Sequence, residues 1–252
     1  MTEYSGGGDP ARSIALLWRR PRKPSGRGRP PALDVDAIVG AAVALADERG
    51  LPALSMRALA DALGVGTMTL YGHVPGKAEL LDLMVDAVLG ETAPEPARGS
   101  WRARLERLAR ENAALYLRHP WLLDVATIRP PLGPNVIAKY DRELRALEGI
   151  GLSDVEMDSV LSLVLAFVHG QVKGALEAAQ VEQRSGLTDD AWWTAQEPLL
   201  AEVLDPERFP VAARVGAASA EAYAGLWDPD HAFEFGLERV LDGIAVLVES
   251  RC

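Results

Sequence analysis

The stretch SMRALADALGVGTMTLYGHVPGK, Ser55–Lys77, decides how the chain is read. Ser55 suits a helix N-cap, because its hydroxyl accepts from a free backbone N–H of the first turn. Leu59 and Leu63, with Ala60 and Ala62, repeat at helical spacing and form one apolar stripe. Gly64 is placed to end that helix, since glycine enters the left-handed region without a Cβ clash. Val65 then turns inward, and Gly66 and Thr67 open a second short helix that offers Leu70 to the core. Thr67, Met68, Thr69, Tyr71, Gly72 and His73 stay on or near its exposed face, and Pro75-Gly76 stops it.

Two helices joined by a glycine-containing turn of about three to four residues form a helix-turn-helix, whose second helix enters the DNA major groove. A threonine there bonds a base edge or touches a thymine methyl. Tyr71 and Lys77 reach phosphates, which fixes position without reading sequence. The turn alone also fits, less well, a corner in an ordinary helical core.

The block GVGTMTLYGHVPGKAELL, Gly64–Leu81, resembles the signature of the tetracycline-repressor (TetR) family, strongly over Leu33–Val88 and more weakly beyond, as at RPPLGPN. The resemblance implies an all-α fold. A helix-turn-helix domain at residues 32–90 would precede a larger helical effector-binding and dimerisation domain at 100–252. It implies a DNA-contacting set of Arg57, Thr67, Thr69, Tyr71, His73 and Lys77, and Ser55, Met68 and Gly72 are expected at the same DNA-binding surface. Gly72 departs from the pattern, where relatives carry a larger side chain. A glycine inside a helix costs about 1 kcal/mol relative to alanine and removes one possible DNA contact.

Ahead of this block the charge pattern changes. The chain carries a net −10, yet up to Pro31 seven basic residues stand against two acidic ones, a surplus of +5, which leaves −15 for the rest. A basic arm on an acidic body is a layout of DNA-binding proteins. Residues 1–31 are expected to be disordered, apart from a short helical turn at Ala11–Trp18. The core Arg27-Gly28-Arg29-Pro30 resembles an AT-hook, in which arginines follow the narrow minor groove over A·T tracts. The other reading is a solvated basic tail.

The rest of the chain reads as helices. Asp34–Arg49 carries a stripe of Ile38, Ala41, Ala42, Leu45 and Ala46, and Lys77–Leu89 is amphipathic through Leu80, Leu81, Met84, Val85 and Val88. TAPEPARG, Thr92–Gly99, reads as a linker. Further helices are expected at 100–118, 135–148, 154–181, from 188, loosely at 211–226, and at 230–250. The helix at 154–181 is apolar around most of its circumference, and Gly170 and Gly174 allow close approach. Pairing of this helix and the last one with their copies in a second chain would give a two-fold homodimer. A monomer with both helices central in a larger core is the alternative.

A pocket for a small-molecule effector is expected in this second part, since such sites are mostly apolar with a few directed polar groups. Its candidates are Asn112, Tyr116, His119, Trp121, Arg129, Asn135, Tyr140, Phe167, Gln171 and Trp192. No cofactor or metal is expected: His73, His119, His169 and His231 are scattered, without HExxH spacing. Cys252 is the one cysteine, which excludes an internal disulfide and fits a reducing compartment. GVGTMT follows a helix rather than a strand, so a dinucleotide fold fails. No signal peptide or membrane span is expected. The expectation is a cytoplasmic, non-enzymatic regulator, most simply a repressor. It would bind double-stranded palindromic operator DNA and be released by an effector. The alternative is a DNA-binding or architectural protein without an effector.

Overall fold

The computed structural model describes residues 3–19, 33–92, 99–126, 129–223 and 227–251. The architecture is all-α, with one two-residue pair of parallel strands, β1 (Glu3–Tyr4) and β2 (Val125–Ala126). The chain divides into two compact units, residues 1–162 with 251–252, and residues 163–250. The division falls inside a helix and not at the expected linker, because the first half of the effector region packs onto the same helix as the head.

The first unit starts with α1 (Pro10–Leu17), followed by the head: α2 (Val35–Arg49), α3 (Met56–Ala62), α4 (Thr67–His73) and α5 (Lys77–Leu89). Local chemistry sets the starts. Asp34 caps α2 by accepting from the Ala37 N–H at 2.7 Å, and Ser55 caps α3 by accepting from Ala58 at 3.1 Å. Gly64 leaves α3 at φ +65°, while the Val65 N–H closes on the Ala60 carbonyl at 3.0 Å. Ile38, Leu59, Leu70, Leu80 and Met84 are fully buried and join these helices in one core. Two readings shift in detail: Ala62 faces solvent rather than the stripe, and Val39 joins the core.

α5 is not amphipathic in place. Glu79 through Asp86 are all buried, because α1, α2 and α7 (Pro134–Leu144) all pack on it. Beyond α5 come α6 (Trp101–Arg118), capped by Ser100, a 3-10 turn at Pro120–Asp124, β2 and α7. α7 stops four residues short of the expected end, at Leu144. The long α8 (Asp154–Ser185) opens with a capping box. Ser153 N–H donates to Glu156 Oε2 at 2.9 Å, and the Glu156 N–H donates back to Ser153 Oγ at 3.4 Å.

The second unit holds α8 from residue 163, α9 (Asp189–Val203), α10 (Pro210–Tyr223) and α11 (Pro229–Glu249). Val164, Val168 and Val172 on α8, and Leu237, Leu241, Ile244 and Val248 on α11, are buried. Phe167 packs on Phe233 with ring centroids 5.8 Å apart and covers Gly236 so closely that a Cβ there would meet its ring. Gly174 faces the Trp227 ring, whereas Gly170 has open space beside it. Neither α9 nor α10 has a buried residue. α8 is the one described helix long and apolar enough to cross a membrane by length and composition.

Candidate functional site

The head presents α4 outward. Leu70 anchors it and Val74 closes its end, both fully buried. Around this anchor Thr69, Tyr71 and Gly72 are exposed, Thr67 and His73 are half-buried, and Met68 is 82% exposed. An unbranched apolar side chain left in water at the centre of this face is suited to contact with base methyl groups. Gly66 caps α4 without a side-chain hydrogen bond, and the Thr69 N–H closes on the Gly66 carbonyl at 2.9 Å. Arg57 is exposed in the first turn of α3, beside the cap Ser55, and Lys77 is the first residue of α5. The described part of the predicted DNA-contacting set therefore lies on the exposed ends and turns of α3, α4 and α5. Arg27 and Arg29 lie outside the described residues.

Residues 3–9 depart from the expectation of disorder, while α1 lies where a short helical turn is expected. Residues 3–19 form a strap across α5. The Ser5 hydroxyl donates to the Arg129 carbonyl at 2.9 Å, and the Gly6 N–H donates to Asp82 Oδ1 at 2.8 Å. Trp18 Nε1 donates to the Leu132 carbonyl at 2.9 Å, while Arg19 Nε donates to Asp36 on α2 at 3.1 Å. Leu17 is buried against the shared core. The strap thus touches both the head and the β2–α7 region.

α5 answers with buried carboxylates. Asp86 Oδ1 accepts from the N–H groups of Asn135 and Val136 at 3.1 and 3.0 Å, which caps α7 from a neighbouring helix. Burial raises the pKa of Asp82 and of Asp86, and these backbone donors only partly oppose it. A second joint lies at the C-terminal end of α2. Asp47 Oδ1 accepts from Trp121 Nε1 at 2.7 Å and meets His119 Nδ1 at 2.8 Å. His119 Nε2 lies 3.1 Å from Glu91 Oε2, which also accepts from Arg118 at 3.2 Å. Carboxylates only accept, so both histidine contacts are hydrogen bonds when the ring carries two protons.

Several expected effector residues take part in these joints. His119 and Trp121 spend their polar atoms on Asp47 and Glu91, and Trp121 is almost fully buried in the head-facing core. Asn135 serves the α5–α7 cap, where its side chain also donates to Asp86 at 3.2 Å. Arg129 is exposed, with its carbonyl taken by the strap. Tyr140 is exposed and donates to Asp158 at 2.7 Å, a bond to a carboxylate that raises its pKa. Phe167, Gln171 and Trp192 belong to the second unit, where Phe167 packs on Phe233 and Trp192 is 42% exposed.

Asn112 and Tyr116 do come together with a polar group, on the facing sides of α6 and α7. Asn112 Nδ2 donates to Glu143 Oε1 at 2.8 Å, and Glu143 pairs with Lys139 one turn earlier. Asn112, Lys139 and Glu143 are all buried. Burial, with the Glu143 charge, pushes the Tyr116 hydroxyl up to about 12. Lys139 and Glu143 were not among the predicted residues. Their spacing carries a signal: Val136, Lys139, Glu143 and Leu147 lie on one helical stripe, which places both charges on the inward face.

An exposed recognition helix on a packed helical head, joined to a helical body, defines a helix-turn-helix DNA-binding regulator. Residues 38–84 match the family "Bacterial regulatory proteins, tetR family", and residues 93–248 match "Tetracyclin repressor-like, C-terminal domain". The HTH-type transcriptional repressor DrrR1 of Streptomyces coeruleorubidus is 47% identical over 252 residues, covering 99% of this chain and 91% of that one. Apo ActR of Streptomyces coelicolor superposes with a TM-score of 0.71 at 30% identity, covering 90% of this chain and 100% of ActR. The ActR structure in complex with actinorhodin gives 0.71 at 32% identity, covering 85% and 96%. The chain belongs to the TetR family of transcriptional regulators.

Proposed function

We propose that the protein is a cytoplasmic repressor that binds a palindromic operator as a homodimer and leaves it when a small organic effector binds residues 100–252. The observation that carries the reading is α4, which is anchored by Leu70 and turns Thr67, Met68, Thr69 and Tyr71 outward. Thr69 and Met68 read bases. Tyr71, Arg57, Ser55 and Lys77 hold phosphates, and Arg27 and Arg29 follow the adjacent minor groove. The coupling runs through α5, whose acidic residues join the strap, the head and α7. An effector shifts this equilibrium only by its difference in affinity for the two states. ActR bound to actinorhodin or to (S)-DNPA supports an organic ligand.

The test is selection from random duplexes with the purified full chain, followed by sequencing. Recovery of a palindrome with half-sites about 10 bp apart, centre to centre, supports the reading. Binding without sequence preference would favour an architectural protein.

A further inference from the structure

The strap fastens one segment of the chain to α5 at several points. β1 pairs in parallel with β2, with Glu3 opposite Val125 and Tyr4 opposite Ala126. The Ser5 hydroxyl lies within hydrogen-bond distance of the Ala126 and Arg129 carbonyls, at 3.1 and 2.9 Å. Trp18 Nε1 reaches the Leu132 carbonyl further on. On its other side the strap is held by α5. The Gly6 N–H donates to Asp82 Oδ1 at 2.8 Å, and the Asp9 N–H donates to Glu79 Oε1 at 3.3 Å. One turn past Asp82, Asp86 holds the first N–H groups of α7 directly. The chain from β2 to the start of α7 is therefore tied to α5 in two ways: by Asp86 at α7, and through the strap at Ala126, Arg129 and Leu132.

The glycine run suits this passage. Gly6 has φ +71°, and a Cβ on it would stand 3.2 Å from the Arg129 carbonyl oxygen. A Cβ on Gly8 would stand 2.7 Å from Glu79 Oε1. Yet the fastening is shallow. A two-stranded pair is marginal by itself, and Ser5 is the one buried residue among residues 4–9. A segment with so few buried apolar contacts opens locally at low cost. Leu17, by contrast, is buried in the shared core and keeps α1 seated. Residues 3–9 can thus lift while α1 stays in place.

We propose that residues 3–9 are a releasable latch. Closed, it keeps the β2–α7 segment on α5 and the head in its operator-binding arrangement. Open, it frees that segment and shifts the population toward the released state. The latch rests on the effector-responsive reading and supplies a contact that differs between its two states.

The experiment uses the full chain and two variants that leave residues 10–32 untouched. Gly6→Val puts a β-branched side chain at positive φ and against the Arg129 carbonyl. Ser5→Ala removes only the hydroxyl, and it decides the matter if Gly6→Val disturbs more than the strap. Amide hydrogen exchange reads the segment, and fluorescence anisotropy with the palindrome selected from random duplexes reads the head. Both variants should speed exchange of the Asn135 and Val136 amides by about tenfold, with the Leu59 amide of the head core unchanged. Operator affinity should fall about three- to tenfold, the worth of one hydrogen bond. Unchanged exchange at Asn135 and Val136 overturns the latch. Faster exchange there with unchanged affinity overturns it too, because the segment then moves without consequence for the head. Equal acceleration at Leu59 marks general destabilisation and overturns it as well. A wild type that selects no palindrome removes the operator reading before any variant is made. Affinity is then read on a random-sequence duplex, where the same results decide the latch.

Discussion

Gly64 holds the turn between α3 and α4 at φ +65°, and a Cβ added there would meet nothing within 4 Å. Gly64→Ala therefore isolates backbone strain, and about 1–2 kcal/mol of stability should be lost, read by chemical denaturation. No change would mean that the turn relaxes without penalty. On the recognition face, Tyr71→Ala should weaken binding to all duplexes alike, while Thr69→Ala should change base preference by about 1–3 kcal/mol at one position. Operator binding unchanged in both would remove α4 as the reader. Asp86 gives a pH-dependent case. Its raised pKa means that the folded state binds more protons than the unfolded state between pH 3.8 and the folded value. Its contribution to stability therefore falls as pH rises through that window, opposite to a salt-bridged aspartate. Asp86→Asn keeps an acceptor for the α7 N–H groups but does not titrate. The stability of the wild type relative to this variant should increase as pH is lowered from 7 toward 4, as measured by denaturation at each pH. These residues differ in how readable they were. Gly64, Leu70 and Ser55 announce themselves through local backbone chemistry. Asp82 and Asp86 look like ordinary surface charges until their helix is seen to be covered.

At the level of elements, helix starts were legible where a side chain satisfies the first turn. Asp34, Ser55, Ser100, Ser153 and Thr188 each mark one, and all are found capping. The covering of α5 was not legible, because it comes from residues distant in sequence. The strap was missed for a related reason: its glycine-rich start has no periodicity, and its stability comes from side chains on α5 and carbonyls near β2. Leu17 is its apolar anchor. Leu17→Ala should cost about 2–3 kcal/mol, several degrees in melting temperature, if the strap is part of the cooperative fold. A change within about 0.5 kcal/mol would show that the strap detaches before the core unfolds.

For the whole molecule, the strap changes how the basic segment must be tested. Deleting residues 1–31 would remove both the arginines of the arm and the elements that cover α5, so a drop in affinity would not separate the two. Replacing Arg27 and Arg29 by alanine leaves the strap in place. The log–log salt dependence of operator binding should then flatten by about 0.9 for each phosphate that is no longer neutralised. The proposed homodimer is tested at the same scale. Phe235 and Val246, 54% and 69% exposed on α11, are eleven residues apart and so share one face of the helix. Their exposure contrasts with the buried Leu237, Leu241, Ile244 and Val248 of the same helix. The Arg239–Asp242 ion pair, at 2.8 Å, lies between Phe235 and Val246 on the same face, and a mixed apolar and charged face on a helix whose opposite side is already packed is suited to a self-complementary two-fold contact. Val246→Asp should convert the protein to a monomer in sedimentation equilibrium while far-ultraviolet circular dichroism stays helical, because the side chain supports no core. Affinity for a two-half-site operator should then collapse toward that of a single head, since the second head no longer binds at the high effective concentration set by the first. A Val246→Asp protein that remains dimeric would place the interface away from this face of α11.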